Sequence, residues 1–130
     1  MPSDVRPEDT AIEVFVKLDA LDFDGIQAML IDAAQGVDEI SRGWMRGRGD
    51  LDRYFREALS HVSDIHSALR DVAGNQWGDV SVVTAVLDQT YRFDGQPQHV
   101  IAPTTLVLVR EGGAWKVAVL HSVPLPEEGS

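Results

Sequence analysis

Apolar residues along this chain keep two periods. Up to about residue 60 they recur every three or four positions, the spacing of one helix face, and from His61 onward every second position, the spacing of one strand face. Ala11, Val14, Phe15 and Leu18, with Ile12 and Val16 beside them, predict a helix over 8–19, opened by Pro7 with Glu8 and Asp9 in its first turn. Asp22 is placed to cap a second, short helix from Phe23 to Leu30 that turns Ile26, Met29 and Leu30 inward, with Gly25 lowering its own stability. Ile31 to Ile40 reads as a short irregular strand, and the glycine-rich Arg42 to Gly49 as a loop. Asp50 opens a third helix to about Ser60, striped by Leu51, Tyr54, Phe55, Ala58 and Leu59.

Four strands follow, His61 to Val72, Val80 to Phe93, Gln98 to Arg110 and Ala114 to Val123, separated by AGNQWGD, DGQP and REGG. The last two carry VIAPTTLVLV and AWKVAVLHSV, apolar at nearly every position. Both faces of that hairpin must therefore leave water, one against the chain's own helices and one against something else. The pattern predicts an α+β fold: three N-terminal helices packed on a curved, mainly antiparallel sheet, with a pocket on one side and a partner on the other.

Composition narrows the function classes. A chain of 130 residues with 44% hydrophobic content is read as one domain, 1–130, with residues 1–6 and 124–130 as loose tails. Cysteine is absent, which removes disulfides, thiolate chemistry and cysteine metal sites. The start MPSDVRPEDT has no signal-peptide character and no apolar run reaches the length of a membrane span, so a cytoplasmic protein is expected. With 21 acidic against 11 basic residues the net charge is −10, which disfavours nucleic acid and anionic membranes as partners. Arg42, Arg46 and Arg48, interleaved with Asp50 and Asp52, read as a solvated face. His61 and His66 point to opposite faces of a strand, so no metal site is expected, and with no phosphate loop or nucleophile elbow no cofactor is expected.

The junctions of these elements carry a family likeness. Asp22-Phe-Asp-Gly-Ile-Gln-Ala-Met-Leu30, Gly43-Trp-Met-Arg-Gly47, Ala102-Pro103, Thr105-Leu-Val-Leu-Val109 and Gly113-Ala-Trp-Lys-Val-Ala-Val-Leu-His-Ser122 stand in one order over nearly the whole chain. In that order the chain resembles the nuclear transport factor 2-like superfamily, in its SnoaL-like and ketosteroid-isomerase-like branch, whose fold is a cone-shaped (cystatin-like) α+β domain. The resemblance implies a carboxylate base just after the first strand, where Asp38 stands. It also implies two acidic hydrogen-bond donors for an enolate oxygen, and here those positions are Val14 and Thr105, so steroid isomerisation of that type is not expected.

Counting by twos from Thr105 puts Val107 and Val109 on the pocket face, with Trp115, Val117, Val119 and His121 from the last strand and Val83, Ala85, Leu87, Gln89 and Tyr91 from the second of the four. Asp38 and His121 are the candidates for proton transfer, and Val14, Leu18, Trp44, Leu87, Gln89, Tyr91, Thr105, Val107, Trp115 and Val117 for ligand binding. Three functions fit: a cyclase, isomerase or dehydratase acting on an apolar, cyclic or polyketide-like substrate; a non-catalytic protein holding a small apolar molecule; or an association module. Val82, Val86, Leu106, Leu108, Ala118 and Leu120 would fall on the opposite face, predicting a homodimer through the sheet.

Overall fold

The computed structural model describes residues 5–125. Of the tails expected to be loose, residues 1–4 and 126–130 lie outside that range. Helix α1 spans Pro7–Asp19, with Pro7 in its first turn and Thr10, Ala11, Val14 and Phe15 on its buried side. The Asp22 carboxylate accepts the Gly25 N–H at 2.9 Å and so caps α2, Phe23–Ala28. Strand β1, Leu30–Asp38, takes over two residues after α2 ends. The expected loop holds a two-residue strand β2, Met45–Arg46, and α3 runs over Arg48–Glu57 with a 3₁₀ turn, Ala58–His61, behind it.

Four long strands complete the chain: β3 Val62–Trp77, β4 Val80–Phe93, β5 Gln96–Glu111 and β6 Ala114–Ser122. Strand β3 does not stop at Val72, because AGNQW is strand and the turn is Gly78-Asp79 alone, with Gly78 at φ +60. The six strands lie in the order β2-β1-β6-β5-β4-β3, and β1 with β6 is the parallel pair. The expected α+β arrangement, helices on one face of a curved and mainly antiparallel sheet, is what the chain adopts. No helix among the described residues is long and apolar enough to cross a membrane.

Curvature has a local cause. Strand β3 slips register against β4 between Ser63 and His66 and again between Arg70 and Ala73, and Asp64 and Asp71 adopt φ of 52 and 53 there. Each bulge adds a residue to one strand and bends it, and aspartate tolerates the left-handed conformation better than a branched residue. The bent sheet wraps α1 and α3, closing a core in which Ala11, Ile26, Val83, Leu106, Leu108 and Val117 are almost wholly buried.

Two strands differ from the expected facing. On β5 the inward residues are Ala102, Thr104, Leu106 and Leu108, so Thr105, Val107 and Val109 lie on the outer face. On β6 the register against β5 shifts between Val107 and Leu108, which pair with Val119 and Val117, leaving Ala118 as the extra residue. Trp115 and Val117 therefore point inward, whereas Val119 and His121 point outward with Thr105 and Val107 as cross-strand neighbours. Leu106 and Leu108, expected on the outer face, are core residues.

Candidate functional site

The first strand ends in a tight turn built by one side chain. Asp38 Oδ1 accepts the backbone N–H groups of Ile40 at 3.0 Å and Ser41 at 2.8 Å, and the Ser41 hydroxyl oxygen accepts the N–H of Asp38 at 3.0 Å. Such a turn is what a short carboxylate forms when it satisfies backbone donors just ahead of it. Its consequence is positional. Strand alternation stops at Asp38, so Glu39 lines the same cavity instead of facing away.

Helix α3 brings Tyr54 to this turn, and its hydroxyl donates to the Asp38 carboxylate, 2.7 Å from each oxygen. Strand β4 contributes Leu87, Gln89 and Tyr91 along its inward face, and α1 contributes Phe15 and Leu18. Together they enclose a cavity of about 40 Å³ whose remaining wall is apolar apart from Ser122. On the other side of the two carboxyl groups an open cleft of about 310 Å³ is lined by Val37, Asp38, Glu39, Arg42, Val123 and Pro124. Asp38 and Glu39 thus stand between an interior cavity and the surface.

The electrostatics separate the groups. Burial, and after it the neighbouring charge of Asp38, push the Glu39 carboxyl up to about 7. Burial and the charge of Glu39 raise Tyr91 to about 12, and burial with the charge and hydrogen bond of Asp38 raises Tyr54 well beyond its ordinary value. Both phenols therefore remain neutral donors at physiological pH. Glu39 is the one group here that changes charge near neutrality, as a general base or acid must.

A second polar chain reaches the cavity from α1. The carboxylate of Asp19 accepts the Ser67 hydroxyl at 2.6 Å and the Ser67 N–H at 2.8 Å, and Ser67 Oγ accepts from Gln89 Nε2 at 2.9 Å. Behind the cavity, Thr104 Oγ1 and Ser122 Oγ lie 2.8 Å apart. Thr104, and not Thr105, is the inward hydroxyl of β5.

Of the residues expected from sequence, Leu18, Asp38, Leu87, Gln89 and Tyr91 meet at this cavity. His121 does not reach it. It lies exposed on the outer face, its ring 6.0 Å from that of Trp44, which is itself 48% exposed. Asp38 and His121 are thus separated by the sheet, because parallel pairing sets Asp38 beside Ser122 and Val37 beside His121. Thr105 and Val107 share that outer face. Val14 and Val117 are packed in the core away from the cavity wall, and Trp115 lines a different, open groove of about 700 Å³ with Arg6, Thr10 and Arg110. There the Arg110 guanidinium lies 4.6 Å from the centre of the Trp115 ring. Sequence reasoning missed Glu39 and Tyr54: Glu39 stands in a stretch legible only as a short irregular strand to Ile40, and Tyr54 within an ordinary helix stripe. No group of three or more potential ligands is arranged to hold a metal among the described residues.

A family model described as SnoaL-like domain matches residues 13–126. The chain belongs to the SnoaL-like family. No curated protein matches it. Among solved structures, this SnoaL-like domain is similar to a ketosteroid isomerase-like protein from Erwinia carotovora atroseptica, with TM-score 0.79 and 16% identity over 92% of this chain and 94% of the other. It is similar to a proposed dehydratase of the NTF2-like family from Streptomyces avermitilis, with TM-score 0.82 and 19% identity over 91% and 92% of the two chains. It also resembles the S. rosetta CaMKII hub, with TM-score 0.76 and 21% identity over 93% and 98%. At such identities the likeness shows the fold, and the chemistry has to come from the side chains.

Proposed function

We propose that this SnoaL-like domain is a proton-transfer enzyme of the isomerase or dehydratase kind, acting on a small apolar molecule that enters past Asp38 and Glu39. The observation that carries this reading is the Glu39 carboxyl, which lines a mostly apolar cavity and is pushed up to about 7 by burial and the charge of Asp38. As a carboxylate Glu39 takes a proton from a substrate C–H bond, whose electron pair moves into the adjacent π-system. As the resulting acid it returns that proton at another atom. Asp38 is assigned a positioning role in place of the base first expected, since two backbone N–H groups and the Tyr54 hydroxyl already hold its carboxylate in place. Tyr91 hydrogen-bonds the Glu39 carboxylate, and once Glu39 has taken the proton the tyrosine hydroxyl is free to donate to the negative charge that develops on the substrate.

The test is solvent-deuterium exchange into a panel of small cyclic ketones and hydroxyketones, followed by NMR. Exchange should be catalysed by the parent, rise with pH through about 7, and fall at least about a hundredfold in Glu39→Gln. Equal rates for parent and variant, or no rate above buffer across the panel, would defeat the reading. For the partner, a second copy packed on the outer sheet face is proposed. A row of Val82, Val107 and Val119 aligned across β4, β5 and β6 supports it.

A further inference from the structure

We infer that the molecule held in the cavity carries a hydroxyl group, which donates to Gln89. This rests on the cavity being a ligand site, and adds to it the substrate class. The starting point is the direction of the chain from Asp19 to Gln89. An ionised Asp19 has only acceptor atoms, so the Ser67 hydroxyl must spend its single proton on it, across 2.6 Å. Ser67 Oγ then has only lone pairs to offer Gln89. That requires the amide nitrogen of Gln89, and not its oxygen, to face Ser67 at 2.9 Å.

The amide orientation is therefore imposed from outside the cavity. With nitrogen tied to Ser67, the carbonyl oxygen of Gln89 is the free end, and it accepts no hydrogen bond from the described residues. Gln89 is 6% exposed and lines the cavity, and among the described residues no fully buried side-chain polar atom lacks a partner, so this oxygen is open to the cavity space. An occupant without a donor would displace water from it and leave it unpaired in an apolar enclosure. A hydroxyl on the occupant satisfies it. Sites that hydrogen-bond a substrate hydroxyl reject the analogue lacking one far more strongly than apolar pockets reject a change of size.

The anchor is costly enough to need a reason. Asp19 closes α1 at its C-terminal end, where the helix dipole disfavours a negative charge, and its two hydrogen bonds both go to Ser67. Their effect is to fix one face of one amide toward the cavity.

Phenol and fluorobenzene test this, being nearly equal in shape while only phenol donates, and fluorobenzene the more apolar. Their binding to the full chain is followed by amide NMR shifts at Leu87, Gln89 and Tyr91. Phenol should bind at least about fivefold more tightly, Gln89→Met should abolish or reverse that preference, and Ser67→Ala should weaken it by freeing the amide. In the ligand-free protein, Asp19→Asn should shift the Gln89 side-chain amide resonances, a readout that needs no ligand. Equal or tighter binding of fluorobenzene to the parent overturns the inference while leaving the cavity reading intact. If neither probe moves the cavity resonances, the cavity reading falls and the inference with it.

Discussion

Glu39 and Asp38 are consecutive carboxyl groups with opposite situations. Asp38 is supplied with donors by its own turn and by Tyr54, while Glu39 is buried beside it, where burial and the charge of Asp38 outweigh the backbone and Tyr91 hydrogen bonds that favour its ionised form. Because its folded value of about 7 lies above the ordinary carboxylate value of 4.5, the folded state binds more protons than the unfolded one between those pH values. Stability from this group is fully present below the lower value and is lost as pH rises through the higher one. Glu39→Gln removes the charge and nearly keeps the shape. Urea unfolding should therefore find the variant more stable than the parent at pH 8 by up to about 3 kcal/mol, and nearly equal at pH 4. A difference independent of pH would show that Glu39 titrates as an exposed group. Tyr54→Phe is the companion change: it deletes a donor to a charged acceptor and should cost about 1.5–3 kcal/mol by the same measurement.

At the scale of elements, what the sequence disclosed depended on whether an element had a polar face. Helices α1 and α3 each have one, and so does the second half of strand β4 over Asp88, Thr90 and Arg92, and there the inward residues were legible, down to Leu87, Gln89 and Tyr91. Strand β5 has none over VIAPTTLVLV, so alternation fixes two sets of residues but not which set is inside. Taking Thr105 as inward chose the wrong set. Strand β6 adds a bulge at Ala118 that reverses facing midway, and nothing in AWKVAVLHSV announces it. The corrected facing makes a sharp contrast between neighbours. Leu106→Ala should cost about 2–5 kcal/mol by denaturant unfolding of protein diluted to the monomer, because Leu106 is fully buried, whereas Val107→Thr should cost less than about 1 kcal/mol there. Similar costs at the two positions would return β5 to the facing first read from sequence.

For the whole molecule, the outer face of the sheet and the net charge pull in opposite directions. Val82, Val107 and Val119 form a row across three strands, extended by Val80 and Val109 along one side and by Val86 and Pro103 along the other. Val80 is 40% exposed, and Ile101 on the same face 52%. An apolar face of that kind favours association, and the two-fold pairing of identical faces is the simplest closed arrangement. Each copy carries a charge of −10, however, so two copies repel over a distance set by salt. The contact is therefore expected to be apolar and the opposition to it electrostatic, which fixes the sign of its salt dependence. Sedimentation equilibrium should show a dimer whose dissociation constant falls as sodium chloride is raised, the reverse of an interface held by ion pairs. Val107→Glu places a charge at the centre of the row and should give a monomer that keeps the Glu39 titration near 7, since the cavity lies on the other side of the sheet. A parent that sediments as a monomer at micromolar concentration in all salts would exclude this face as a self-association surface.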